Sequence, residues 1–247
     1  LRQATCRRLL YGCKTPAADL RAEAVSLAAD HVAFTAVTKD AQVPVRVNIP
    51  GGFMVYNTLG VLGAAAALGI SLEQSARVLA GVPHVKGRGE VVPTPGKGYT
   101  ILIDYAHSPD GLENVLTSVK GFAKGRTVAV FGCGGDRDAK KRPIMGKLAL
   151  ELADILVVTS DNPRSEDPDT IIRDIETGFS DNPQHKEIYT ISDRREAIQF
   201  AISHARPEDV IMIAGKGHEN YQILKDRTIH FDDGEVVRDF FRKGNRA

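Results

Sequence analysis

Three things are scarce in this sequence. Cysteine is the first: Cys6, Cys13 and Cys133 are all that 247 residues hold. An odd, scattered set of this kind makes neither a disulfide framework nor a close zinc-binding pair, and a reducing cytoplasm is the compartment expected. Charge of one sign is the second: Lys and Arg number 32 against 31 Asp and Glu. No global field therefore points to a nucleic acid or a membrane surface as partner. The third is a long apolar run. The longest stretch, residues 61–70, is too short to cross a bilayer, and residues 1–13 mix arginine with apolar residues in a way no signal peptide does. The apolar fraction, 43%, is ordinary for a globular protein, and the length allows one large domain or two modest ones. The sequence begins at Leu1 rather than Met and is expected to be a piece of a longer protein.

The pattern changes character along the chain. Residues 32–36 and 43–49 alternate apolar and polar positions, which predicts half-buried antiparallel strands. Pro50-Gly51-Gly52 breaks that rhythm, and two helices are expected over 54–68 and from Ser71 to Gly81. Turn residues over 81–89 suggest a hinge. Beyond it, apolar β-branched runs at 100–103, 127–131, 155–159 and 210–214 alternate with helical stretches at 109–123, 143–152, 169–179 and 194–204. Near-continuous apolar strands between helices predict an α/β fold, a mostly parallel sheet with helices on both faces. A hairpin over 221–224 and 228–231 and a last helix over 233–242 complete the reading.

Ligands of open parallel sheets sit beyond the carboxyl ends of the strands, and four expected strands end in unusual polar loops. Asp104-Tyr105-Ala106-His107 ends one; Asp104 could take ribose hydroxyls and His107 a nucleotide, or the two could form a structural pair. Residues 131–142, FGCGGDRDAKKR, hold three glycines and four basic residues, able to approach an anion through backbone N–H groups, or simply a charged surface loop. This is no Walker A loop, because the Gly-Lys-Ser/Thr ending is missing. In residues 160–168, SDNPRSEDP, Asp161 and Asn162 could take an ammonium and Arg164 a carboxylate through its planar fork, or the stretch could be an Asx-turn opening the next helix. Residues 214–219, AGKGHE, carry Lys216 and His218, which could be solvated loop residues, and Glu219, which could pair with either. His31, His84, His185, His204 and His230 have no evident partners, and no Ser-His-Asp pattern or metal-spaced cluster is present. The four loops converge on one edge of a parallel sheet, a composite site for a charged small molecule.

Taken in order, Tyr56-Asn57, GRGE at 87–90, DYAHSPDGL, GCGGDRD with KRP, DNPRSEDP and GKGHE resemble the Mur ligase family, and within it the group that adds meso-diaminopimelate to UDP-MurNAc-L-Ala-D-Glu. The resemblance covers the sequence from about residue 10 to the end. It implies residues 1–85 as part of a central ATPase domain and 86–247 as a carboxyl-terminal Rossmann-like, amino-acid-binding domain. It implies an ATP-driven amide synthesis through an acyl phosphate, with Mg2+ on the phosphates, in a cytoplasmic monomer. By the same resemblance Asn57, Arg88, Asp104 and His107 contact ATP. Arg137, Asp161, Asn162 and Arg164 form the diaminopimelate pocket, which Gly215 and Glu219 complete around the distal amino group. Arg in the DNPR motif favours diaminopimelate over lysine. The family's phosphate loop, its magnesium-binding Glu and His and its carbamylated lysine are not in this sequence, so these residues alone are expected to have no ligase activity. A lysine-adding or D-Ala-D-Ala-adding ligase, a folylpolyglutamate synthase, or a non-catalytic binding module are the alternatives.

Overall fold

The structure is a computed structural model that describes residues 6, 8–179 and 186–244; His185 lies outside the described residues. The chain divides into two compact units, Leu1–His84 and Val85–Ala247.

The first unit is a four-stranded sheet with two helices. Its strands are β1 (Tyr11–Gly12), β2 (Leu20–Leu27), β3 (Val32–Val37) and β4 (Gln42–Val47), in spatial order β1-β2-β3-β4. The alternation is strict in β4, where Val43, Val45 and Val47 are buried and Gln42, Pro44 and Arg46 exposed, as a one-sided antiparallel sheet requires. Helix α1 (Phe53–Ala67) and helix α2 (Leu72–Ala80) bring Val55, Leu59, Leu62 and Ala76 into a core with Phe34, Val45 and Val47. Ser71 caps α2 through its hydroxyl, which accepts from the Gln74 N–H. The two-residue β1 pairs parallel to β2 and was not expected; two residues carry no periodicity.

The second unit is a six-stranded sheet of order β5-β6-β10-β7-β8-β9. Its strands are β5 (Glu90–Val92), β6 (Thr100–Asp104), β7 (Thr127–Phe131), β8 (Ile155–Val158), β9 (Glu187–Thr190) and β10 (Val210–Ala214). All pairings are parallel except that of edge strand β5. Helices α3 (Pro109–Lys120), α4 (Lys141–Leu152), α5 (Pro168–Glu176) and α6 (Arg194–Ser203) make the crossovers. The small hairpin β11 (Tyr221–Ile223) and β12 (Thr228–His230) leads into α7 (Asp233–Gly244). Ile198, Ile202, Val236 and Val237 of α6 and α7 join Ile101, Ile103, Val128, Val130, Ile211 and Ile213 in one core. The alternate strand residues Leu102, Ala129, Leu156 and Met212 point to the opposite face, where α3 touches α4 and α4 touches α5.

The expected mostly parallel sheet with helices on both faces is therefore present. Edge strands β5 and β9 were not expected: β9 is half-exposed throughout and lacks the apolar run that marks its buried neighbours. The helix expected over 169–179 stops at Glu176 and tightens into a 3-10 turn, Thr177–Phe179, as helix ends commonly do. Helix α4 begins two residues earlier than expected, with Pro143 in its first turn, where a missing N–H costs nothing.

Strand order places the site. The loops after β6 and β7 enter α3 and α4 on one face, whereas the loop after β10, lying between them, leads through the hairpin to α7 on the other. Divergence of this kind opens a crevice at the carboxyl ends of the strands. Among the described residues no helix is long and apolar enough to cross a membrane.

Candidate functional site

A cleft of about 470 Å³ opens at those strand ends. The loop after β6 contributes Tyr105 and His107; the loop after β7 contributes Arg137, Asp138 and Lys141. Asp161, Asn162 and Arg164 follow β8, Gly215 and Glu219 follow β10, and Tyr221 opens β11. All six residues expected to form an amino-acid pocket, Arg137, Asp161, Asn162, Arg164, Gly215 and Glu219, thus line one cleft.

Two loops hold each other in place there. Gly135 donates its N–H to the Asn162 carbonyl at 2.9 Å, and a Cβ on Gly135 would collide with the Pro163 carbonyl. These glycines serve close backbone packing, and the Gly135 N–H is not free for an anion as the sequence suggested. Asp136 accepts from the Ser165 hydroxyl and N–H at 2.6 and 3.2 Å. Arg142, buried at the start of α4, pairs with Glu166 and Asp174, each at 2.8 Å. Arg164 is left with φ +54°, a left-handed conformation costly for a residue with a long side chain. Its N–H donates to the Ile223 carbonyl at 3.0 Å, and its Nη1 donates to the Gly135 carbonyl at 2.8 Å.

The GKGHE loop turns sharply at Gly215, φ +117°. A Cβ there would stand 2.6 Å from Asp161 Oδ2, so glycine lets the Asp161 carboxylate lie against the loop. Lys216, for which the sequence allows a solvated position, is fully buried. Its Nζ donates to Asn162 Oδ1 at 3.0 Å and to Glu219 Oε2 at 3.3 Å. Burial pulls the Lys216 pKa below that of an ordinary lysine, with the Asp161 carboxylate opposing. Asn162 also donates from Nδ2 to Glu219 at 2.9 Å and accepts from the Ile223 N–H at 3.0 Å. Its amide oxygen is therefore already used twice in this structure, while Asp161 and Glu219 also line the cleft as carboxylates. The charge of Glu219 pushes the Tyr221 phenol pKa up.

The other group of expected contacts, Arg88, Asp104 and His107, gathers around Tyr105. The Arg88 guanidinium lies 4.7 Å from the centre of the Tyr105 ring, and the His107 ring is 4.5 Å from it. His107 Nδ1 is 2.8 Å from the Tyr105 carbonyl, and Lys141 donates to the His107 carbonyl at 2.6 Å. Asp104 is buried and accepts from the Gly89 N–H at 2.7 Å; burial raises its pKa above the ordinary carboxylate value. The Asp104–His107 pair considered from the sequence does not form. Asn57 is exposed on α1 of the first unit, its amide beside Met54 Sδ at 3.7 Å. Among the described residues no group of three or more His, Cys, Asp or Glu could hold a metal ion. These described residues therefore do not by themselves fit a magnesium site.

Residues 87–217, more than half of the sequence, match the family described as Mur ligase, glutamate ligase domain. The chain belongs to the Mur ligase family. The UDP-N-acetylmuramoyl-L-alanyl-D-glutamate–2,6-diaminopimelate ligase of Clostridium botulinum is 44% identical over 98% of this chain and 50% of its own length. That of Clostridium perfringens is 52% identical over 78% of this chain and 39% of its own. A solved structure of a ligase of the same name superposes with a TM-score of 0.71 at 34% identity, over 96% of this chain and 48% of that one. The chain spans about half the length of the relatives it matches.

Sequence reasoning about this Mur ligase chain missed a layer beneath the cleft. Arg194 and Asp233, both fully buried, form a two-pronged pair at 2.8 Å, and Arg194 also donates to the Ala214 carbonyl at 3.1 Å. The pair ties α6 and α7 to the end of β10. Its only sequence signal is an arginine opening one helix and an aspartate opening another. Arg142 and Lys216 were visible as charges, but nothing in their spacing distinguished a buried cation from a solvated one.

Proposed function

We propose that this chain carries the amino-acid-binding part of a ligase that adds meso-diaminopimelate to UDP-MurNAc-L-Ala-D-Glu in peptidoglycan synthesis. The observation that carries the reading is the cleft itself: cations Arg137 and Arg164 and carboxylates Asp161 and Glu219 face one volume, matching a ligand end that bears both a carboxylate and an ammonium. The relatives named for that reaction support the same substrate. In the proposed reaction ATP phosphorylates the D-Glu side-chain carboxylate, releasing ADP, the amine of diaminopimelate attacks the acyl phosphate, and phosphate leaves; Mg2+ on the phosphates would be held outside the described residues of this chain. Arg88, Asp104 and His107 are the proposed nucleotide contacts of the second unit, and Asn57 that of the first. The parent enzyme is proposed to work as a cytoplasmic monomer on small-molecule substrates.

Arg164 is the proposed carboxylate partner. Lysine has no carboxylate at its far end and so forgoes the charge-assisted pair with Arg164, and discrimination of more than about a hundredfold is expected. Calorimetric titration with meso-diaminopimelate and with L-lysine tests this. Binding of diaminopimelate but not lysine, abolished in Arg164→Ala, is the expected result. Equal or tighter binding of lysine, or binding of neither, contradicts the reading.

A further inference from the structure

Lys216 lies outside the residues that line the cleft, yet it touches two that do. Its ammonium donates to Asn162 Oδ1 and Glu219 Oε2 and stands 5.6 Å from the centre of the Tyr221 ring. The orientation of the Asn162 amide does not depend on the lysine. The Ile223 backbone N–H also points at Asn162 Oδ1, at 3.0 Å, and an N–H cannot accept, so the oxygen must face that side. Nδ2 is then turned to Glu219. What remains for Lys216 to supply is charge.

The charges of the cleft can be set against each other. Among its lining residues Arg137, Lys141 and Arg164 face Asp138, Asp161 and Glu219, three cations against three carboxylates. Beneath them Arg194 and Asp233 cancel as a buried pair. Lys216 adds a cation directly beside Glu219, held with its side chain out of water, where screening is weak. The far end of diaminopimelate, an ammonium with a carboxylate, is neutral as a whole; the far end of lysine is a lone cation.

We propose that Lys216 is a specificity-determining residue of this site: its buried ammonium, held on Glu219 and Asn162, opposes a second cation placed beside Glu219, so the cleft admits a zwitterionic ligand end and disfavours a purely cationic one. The proposal rests on reading the cleft as the diaminopimelate site. Arg164 selects by pairing with the extra carboxylate, whereas Lys216 selects by opposing the uncompensated ammonium. A unit charge acting through a partly buried site is worth roughly a tenfold change in preference or more.

The test uses the whole 247-residue chain as wild type, Lys216→Gln, Lys216→Met and Lys216→Arg, with folding checked by circular dichroism. Each is titrated with meso-diaminopimelate and L-lysine, and the ratio of the two Kd values is read. Glutamine keeps a donor for Asn162 without the charge, methionine removes both, and arginine keeps the charge. The expected result is a loss of roughly tenfold or more in preference for diaminopimelate in the glutamine and methionine variants, mostly through improved lysine binding, with the preference kept in the arginine variant. If folded glutamine and methionine variants keep the wild-type ratio, Lys216 does not set specificity, while the diaminopimelate reading stands. If wild type itself shows no preference for diaminopimelate, that reading fails and the proposal fails with it.

Discussion

Arg164 holds a conformation that its residue type disfavours. Its φ of +54° is kept by the bond from its N–H to the Ile223 carbonyl and by the reach of its guanidinium to the Gly135 carbonyl. An alanine at this position keeps the strain and loses the guanidinium bonds. A glycine relieves the strain, because it enters the left-handed region without steric cost. Arg164→Gly is therefore expected to melt higher than Arg164→Ala, by about 1 kcal/mol of stability, although neither should bind diaminopimelate. Thermal unfolding of the two variants checks this; equal melting temperatures would mean that the backbone there is unstrained. Motif reading placed Arg164 at the site, but its strain depends on contacts with Gly135 and Ile223, which are distant in sequence.

At the scale of elements, the loops after β7 and β8 form one clamped unit, with Arg142 at its centre. Glu166 accepts from the Arg142 guanidinium, which holds the Glu166 pKa below the ordinary glutamate value. A depressed carboxylate pKa contributes stability above the unfolded value, and that contribution is lost as pH falls through the folded pKa. Arg142→Met is expected to cost about 1–2 kcal/mol near neutral pH, less than a fully buried pair because Glu166 and Asp174 still reach water. The gap to wild type should narrow as pH falls from about 6 to about 3. Melting temperatures across that range decide it, and a gap independent of pH contradicts the clamp. The strands and helices around these loops were largely legible in the sequence. β7 and β10 are continuous apolar runs buried at every position, and Ser71 and Ser108 announce α2 and α3 by capping. Strands β1, β5 and β9 were not legible, because short or half-exposed edge strands owe their conformation to a neighbour rather than to their own pattern. The gathering of four polar loops on one edge followed from the parallel-sheet rule. Which of their charges are buried did not, since burial of Arg142, Arg194 and Lys216 depends on partners 3 to 54 residues away.

At the scale of the whole molecule, every residue lining the cleft lies in the second unit, Val85–Ala247. That unit has its own core between the sheet and helices α6 and α7, and 163 residues are enough to bury one. The central claim is that the amino-acid site is complete within it. The most direct measurement is calorimetric titration of residues 85–247 alone with meso-diaminopimelate, beside the whole chain. The expected result is a folded protein that binds diaminopimelate with an affinity within about threefold of the whole chain, a difference well under 1 kcal/mol. A folded 85–247 that does not bind, while the whole chain does, would contradict it.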